Sequence, residues 1–295
     1  MTATIIDGKA TAETVKNQVK DGVEYLKTEY NIIPGLATVL VGERPDSKVY
    51  VANKQKACQE LGMNSIGRQF NANISQAELL DVVQTLARDS SVHGILVQLP
   101  LPDHIDAETI LNAIPIEKDV DGFSPINVGR LAMKNREPMF VPCTPRGCIY
   151  LLDQYRTKIE GARAVVLGRS NIVGLPTAFL LLHRNATITI CHSRTRDLPD
   201  ITRQADILVA AIGKPCYVQA DWVKPGATVI DVGINEIPDA TKKSGKRLVG
   251  DVDFEAVKEV AGAISPVPGG VGPMTIAMLM QNTLTAAQRA AGLIK

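Results

Sequence analysis

Five stretches of the chain carry side chains whose types and spacing suit chemistry on a small molecule. In Asp46–Lys54, Tyr50 and Lys54 stand four residues apart. On a helix that places them about 6 Å apart along the axis and on one face, so a ring and an amine can address one ligand together. Lys48 and Lys56 flank them, and a merely solvated lysine face reads the same way. The apolar run Gly94–Leu99 carries one amide, Gln98, between Val97 and Leu99, and Pro100 and Pro102 then stop the strand. Ligands of open α/β sheets sit at the carboxyl ends of strands, which puts Gln98 at the mouth of a cleft; a satisfied core amide is the alternative. Asp119 and Asp121, followed by Gly122, offer carboxylates or a plain acidic turn. Pro268, Gly269, Gly270, Val271 and Gly272 read as a hinge or as a backbone that lets a ligand approach closely.

The fifth stretch, AVVLGRSNIVGLPTAFLLL (164–182), reads as strand, glycine turn and helix. Such a turn aims backbone N–H groups and a helix N-terminus at an anion, as dinucleotide pyrophosphate sites do. The spacing Gly168-x5-Gly174 is not GxGxxG, so an ordinary βα turn fits the pattern equally well. The next strand ends in His192-Ser193-Arg194, where an NAD site would place an acidic residue for the ribose. A hydroxyl and a cation there, with Arg169 and Ser170 on the neighbouring turn, favour the extra phosphate of NADP; solvated surface arginines are the alternative.

These residues need elements to hold them. Ala12, Val15, Val19, Val23 and Leu26 recur at helical spacing, and a helix is expected over 11–28. Short β-branched runs at 36–42, 94–99, 164–168, 186–190, 206–212 and 227–232 read as strands separated by helices. Ser75 and Glu78 form a capping box before a helix facing the core with Leu79, Leu80, Val83 and Leu86. Asp46 or Ser47 is expected to cap the helix carrying Lys54, with Gly62 as its stop, and Thr144 to cap a helix starting at Pro145. A last helix is expected from Thr275 to Ala291. Alternation of strands and helices implies a parallel sheet, and the prolines near 141–145 and 266–273 suggest two domains joined by two crossings around a cleft.

The 295 residues are 45% apolar and 21% charged, with 32 Lys plus Arg against 31 Asp plus Glu. That balance argues for a globular protein and against nucleic acid or an acidic membrane surface as partner. The five cysteines form no CxxC pair and no His cluster, so neither a zinc site nor a disulfide framework is expected. The N-terminus has no signal-peptide pattern and no apolar run reaches membrane-spanning length, so a cytoplasmic location is expected.

Taken together, SKVYVANKQKACQELG (47–62), GILVQLPLP (94–102), KDVDGF (118–123), PCTPRG (142–147), VVLGRSNIVGLP (165–176) and PVPGGVGPMTIAMLMQNT (266–283) closely resemble the bifunctional methylenetetrahydrofolate dehydrogenase/methenyltetrahydrofolate cyclohydrolase family. The resemblance implies a two-domain α/β fold. An N-terminal α/β catalytic domain over 1–143 and 271–295 would bind folate, and a Rossmann-type NADP-binding domain would span 144–270. An interdomain cleft would separate them, with the C-terminal helix returning to the first domain. It also implies two reactions on one folate: NADP-dependent oxidation of 5,10-methylenetetrahydrofolate to the methenyl cation, then hydrolysis to 10-formyltetrahydrofolate. A homodimer without a metal is implied; because the chain stops at Lys295, just after the last helix, the long synthetase extension of some eukaryotic relatives is expected to be lacking.

Carried onto this sequence, the resemblance makes Lys54 the catalytic amine, Tyr50 the ring that orients the folate, Gln98 the partner of Lys54 and Asp121 the pterin anchor. Val97, Leu99 and Pro268 to Gly272 would line the folate pocket. Gly168, Arg169, Ser170, Ser193, Arg194 and Ile234 of DVGIN (231–235) would contact NADP. The chemistry suits these types, because water must lose a proton as it attacks the cationic carbon and a nitrogen must gain one as the ring opens. A lysine serves both transfers only when part of it is neutral, and an uncharged amide partner avoids the pull a carboxylate would exert. Asp46 stands where relatives often have a small residue, and some members have lost one activity. A shikimate dehydrogenase-like enzyme would not require Gln98, Asp121 and the 266–283 block together. A non-catalytic folate sensor would have no use for a matched acid–base lysine.

Overall fold

A computed structural model describes residues 2–242 and 245–294. The chain divides into two compact units, one formed by Glu13–Cys143 with Ile276–Lys295, the other by Met1–Ala12 with Thr144–Thr275.

The first unit is built on a three-stranded parallel sheet in the order β3-β2-β4, with β2 Gly35–Val41, β3 Asn64–Phe70 and β4 Gly94–Val97. Every residue of β2 and β4 is buried, as expected of strands covered on both faces. Val39 pairs with Val97, and Ala37, Val39, Val41, Ile95 and Val97 pack on Leu79, Val83 and Leu86 of α3 (Gln76–Arg88). Leu80, expected on that core face, is only partly buried beside it. The capping box forms as expected, with the Ser75 hydroxyl accepting from Glu78 N and the Glu78 carboxylate accepting from Ser75 N. β3 was not expected from the sequence: Asn64-Ser65-Ile66-Gly67-Arg68-Gln69-Phe70 is largely polar and lies at the sheet edge, where only one side must be buried. Helix α1 (Gly8–Tyr30) buries Val15, Val19, Val23 and Leu26. Short helices α4 (Ala107–Asn112) and α5 (Pro125–Ala132) follow β4.

Helix α2 (Pro45–Glu60) follows β2. Neither Asp46 nor Ser47 caps it. Arg44 occupies the cap position, Pro45 opens the helix, and Asp46 instead takes the Arg44 guanidinium at 2.9 Å. Pro45 supplies a helical φ and has no N–H to satisfy, which removes one of the unpaired donors of the first turn. Gly62 follows the last turn at φ +74°, the left-handed position that ends helices without a Cβ penalty.

The second unit contains a six-stranded parallel sheet in the order β1-β11-β8-β7-β5-β6. Its strands are β1 Thr4–Ile5, β5 Arg163–Leu167, β6 Thr187–Cys191, β7 Ile207–Ala210, β8 Thr228–Asp231 and β11 Ala263–Ile264. β1 pairs in parallel with β11, so the N-terminal strand Thr4–Ile5 is part of this sheet. Helices α6 (Cys143–Gln154), α7 (Gly174–His183), α8 (Leu198–Thr202) and α9 (Phe254–Val257) join the strands, and β9 (Asn235–Pro238) pairs antiparallel with β10 (Lys246–Val249) as a separate hairpin. The core gathers Val165, Leu167, Leu208, Val229 and Ile264. α6 begins at Cys143, two residues before the expected start, so Thr144 lies inside the helix and bonds the Thr275 hydroxyl at 3.0 Å instead of capping. The last helix, α10 (Val271–Ala290), also starts earlier than expected, with Pro273 inside its first turn.

Candidate functional site

In the first unit, β2 is the middle strand, β3 lies on one side and β4 on the other, so the chain reverses direction across the sheet at the carboxyl ends of β2 and β4. Such switch points open a crevice. Gln98 follows β4 there, and α2 follows β2. The two elements converge: Lys54 Nζ donates to Gln98 Oε1 at 3.0 Å. The other end of the amide is also engaged, with Gln98 Nε2 donating to Leu99 O at 2.8 Å, so the oxygen is turned toward the lysine. Both side chains are half-buried, and Tyr50, one turn before Lys54, is 38% exposed. Two contacts hold α2 in place. Gln55 Nε2 donates to Thr38 Oγ1 at 3.1 Å on β2, and Cys58 Sγ lies 3.6 Å from Met280 Sδ on α10.

The two acids of KDVDGF have different roles. Asp119 is 4% exposed and accepts from Phe123 N (3.1 Å), Ser124 N (2.8 Å) and Asn127 Nδ2 (2.7 Å), fixing the turn from within. Burial pushes its carboxyl up, opposed by those bonds. Asn282 of α10 secures the same turn by donating to Val120 O at 2.8 Å. Asp121 accepts no hydrogen bond from any described residue and lies within electrostatic reach of Lys54. Burial, with a smaller push from Asp119, raises its carboxyl to about 6, and Lys54 pulls in the opposite direction. Lys54, Gln98 and Asp121 therefore form one group, while Asp119 and Asn282 position it. Val97 is buried in β4 and Leu99 is half-buried beside Gln98.

In the second unit the same topological argument applies at β5, with β6 on one side and β7 on the other. Gly168 leaves β5 at φ +115°, and a Cβ built on Gly174 would lie 2.3 Å from Gly168 O, so the turn and α7 close together only as glycines. A cavity of about 340 Å³ opens at these strand ends, lined by Gly168, Arg169, His192, Ser193, Lys214 and Tyr217 among others. Ser170 and Arg194 do not line it. The Ser170 hydroxyl accepts from Val173 N and Gly174 N, each at 3.2 Å, and caps the turn, while Arg194 is exposed with its N–H donating to His192 Nδ1 at 3.1 Å. Ile234 lines a different cavity of about 130 Å³, whose wall includes Pro268, Gly269, Gly270, Val271 and Gly272. His192, Lys214 and Tyr217 were missed in the sequence; the glycine and proline around Lys214 signal a turn after β7 but not its destination.

The fit to a dinucleotide rests on this cavity: a glycine turn opening on a helix N-terminus, with Arg169, Ser193 and Lys214 on the wall. A larger cavity of about 620 Å³, around His93, Lys118 and Arg289, holds none of the expected site residues. No group of three or more His, Cys, Asp or Glu among the described residues is placed to hold a metal ion, and no helix there is long and apolar enough to cross a membrane.

Comparison with known proteins decides between the readings. Residues 6–121 match the catalytic domain of the tetrahydrofolate dehydrogenase/cyclohydrolase family, and residues 142–291 match its NAD(P)-binding domain. The chain belongs to this family. The match of two family domains in order accounts for the two sheets. A bifunctional FolD protein of Brucella anthropi is 56% identical over 99% of both chains. A chloroplastic one from Arabidopsis thaliana is 55% identical over 97% of this chain and 80% of its own length. Among solved structures, a Trypanosoma brucei methylenetetrahydrofolate dehydrogenase-cyclohydrolase complexed with NADP and an inhibitor aligns with a TM-score of 0.96 at 44% identity, covering 99% of each chain. The family fold therefore holds over essentially the whole length.

Proposed function

We propose that the chain oxidises 5,10-methylenetetrahydrofolate with NADP+ and then hydrolyses the 5,10-methenyl product to 10-formyltetrahydrofolate, with Lys54, Gln98, Asp121 and Tyr50 as the working residues. The Lys54–Gln98 hydrogen bond with Asp121 beside it is the observation that supports this reading most directly. Family membership supports the pair of activities and the use of NADP.

When bound, NADP+ would supply the hydride acceptor for the methylene carbon. The lone pairs of the two flanking nitrogens stabilise the resulting cation, so the chain's own task in this step is placement. Tyr50 stacks on the folate, Asp121 accepts from the pterin N3–H and 2-amino group, and Val97 and Leu99 flank the substrate. In hydrolysis, water adds to the methenyl carbon and the carbon–N5 bond breaks. Lys54 takes a proton from the attacking water and returns one to N5; a net proton leaves with 10-formyltetrahydrofolate. Gln98 fixes the amine without adding a charge. Gly168, Arg169 and Ser193 hold the dinucleotide, Ser170 shapes the turn, and Ile234 with Pro268 to Gly272 forms a second wall. Arg194 contributes charge from outside the cavity.

Purified protein supplied with 5,10-methylenetetrahydrofolate and NADP+ is expected to form NADPH. Supplied with preformed methenyltetrahydrofolate and no cofactor, it is expected to accelerate the loss of methenyl absorbance. Oxidation without hydrolysis would remove the second activity, and failure of both would overturn the proposal. A homodimer and a cytoplasmic location complete the proposal on the family resemblance, with sedimentation equilibrium testing the first and fractionation of the source cells the second.

A further inference from the structure

Asp251 lies outside every motif that carries the family resemblance, and it is fully buried. Its carboxylate takes four hydrogen bonds: Oδ2 accepts from Ile212 N at 2.6 Å and Gly213 N at 3.0 Å, and Oδ1 accepts from Lys214 N and Asn235 Nδ2, both at 2.9 Å. All four acceptor positions of the carboxylate are filled. Three successive backbone N–H groups, with Gly213 at φ +67°, form a cradle of the kind that binds anions, and here a side chain of the same protein fills it.

The consequence lies in what those donors belong to. Ile212 and Lys214 line the cavity that also holds Gly168, Arg169 and Ser193. Asn235 follows Ile234, which lines the second cavity. One buried carboxylate thus ties the loop that leaves β7 to the first residue of β9, which follows the adjacent strand β8. Asp251 is itself fixed by a second carboxylate, since Asp231 Oδ1 accepts from Asp251 N and Oδ2 from Val252 N, both at 2.9 Å. The space is made by glycine: a Cβ at Gly233 would lie 2.3 Å from Asp251 Oδ1, and one at Gly250 would overlap Asp231.

We propose that Asp251 is a positioning residue for the dinucleotide: it sets the 212–214 turn and Asn235, and through them the walls against which the cofactor lies, without touching the cofactor itself. This rests on the assignment of the cavity to NADP+, which Arg169→Ala tests separately.

Asp251→Asn keeps the shape and removes one acceptor. Whichever way the amide is turned, its NH2 faces two N–H donors. In the cofactor-free variant, amide exchange at Ile212, Gly213 and Lys214 is expected to be at least tenfold faster, with β5 unchanged. Trp222 is the only tryptophan of the chain, and its ring stands edge-on to Tyr217 at 5.2 Å on the cavity wall, so its fluorescence reports binding. Titration with NADP+ is expected to give a Kd raised tenfold or more, while cofactor-free hydrolysis of methenyltetrahydrofolate stays within twofold. A general loosening of the fold would lower both together and would overturn the proposal, as would an unchanged Kd in a folded variant. Should Asp251→Asn fail to fold, Asn235→Ala decides. It removes one donor and leaves three backbone bonds, and a Kd raised about threefold is expected; a Kd equal to wild type overturns the proposal. If Arg169→Ala leaves the NADP+ Kd unchanged, the cavity assignment fails instead.

Discussion

Replacing Asp121 by Asn should make the protein more stable and worse at its job, by amounts that depend on pH in a defined direction. The carboxyl is raised from 3.8 to about 6, chiefly by burial. At about 1.4 kcal/mol for each tenfold change in proton affinity, keeping it ionised costs the folded chain up to about 3 kcal/mol at pH 8. Half-burial and water screening reduce this to about 1–2 kcal/mol. Because the folded state binds the proton more tightly than the unfolded state, the penalty is nearly absent below pH 4. It grows as the pH rises through 6 and is complete above 7. Urea unfolding of wild type and Asp121→Asn at pH 4, 5 and 8 measures it. The variant should be the more stable at pH 8 by about 1–2 kcal/mol, by roughly half that at pH 5, and by little at pH 4. The same variant loses a charge-assisted acceptor for the pterin, so the folate KM should rise about tenfold or more while NADP+ affinity holds. A variant less stable than wild type at pH 8, or a stability gap that ignores pH, would refute the reasoning about this carboxylate.

Three other outcomes follow from the same geometry. Lys54→Met should lower cofactor-free hydrolysis of methenyltetrahydrofolate about 100-fold or more, the usual range for a lost general acid–base group; near-wild-type hydrolysis would remove Lys54 from the proton transfers. Arg169 lines the cavity and Arg194 does not, so Arg169→Ala should raise the NADP+ KM more than Arg194→Ala, and equal effects in steady-state assays would reject that placement. Gly174→Ala would put a methyl 2.3 Å from Gly168 O, against backbone that cannot move aside cheaply. A loss of about 1–3 kcal/mol in chemical denaturation is expected, together with weaker NADP+ binding.

The residues nearest the reaction could be read from the chain, whereas those that hold them in place could not, and the difference has a physical cause. Lys54, Gln98 and Asp121 belong to short blocks whose residue types answer a chemical need, and Gly168 and Gly174 answer a steric one, so local sequence marks them. The strands that carry them are also visible, because β2 and β4 are buried on both faces and read as apolar runs. β3 escaped notice because an edge strand can be polar, and β1 because two residues paired with β11, more than 250 positions away, leave no periodic trace.

Positioning residues are harder still. Asp119 and Asp121 are two residues apart in one motif and chemically alike. One is consumed by three donors inside its own turn, and the other accepts no hydrogen bond from any described residue, with an ammonium nearby. Only the backbone path separates them. Asn282 and Asp251 carry the point further, since each binds backbone groups from segments distant in the chain: Val120 for Asn282, and Ile212 to Lys214 for Asp251. A side chain that bonds backbone does not depend on the identity of the residues it binds, so no pairing of residue types betrays it. Its trace is the glycine cleared to admit it, as Gly233 is for Asp251. In each unit a residue expected to meet the ligand, Gln98 in the first and Gly168 in the second, stands at a strand end, where chemistry or sterics selects its type. Its support comes from a buried polar side chain elsewhere, whose loss is expected to alter binding or turnover through geometry alone.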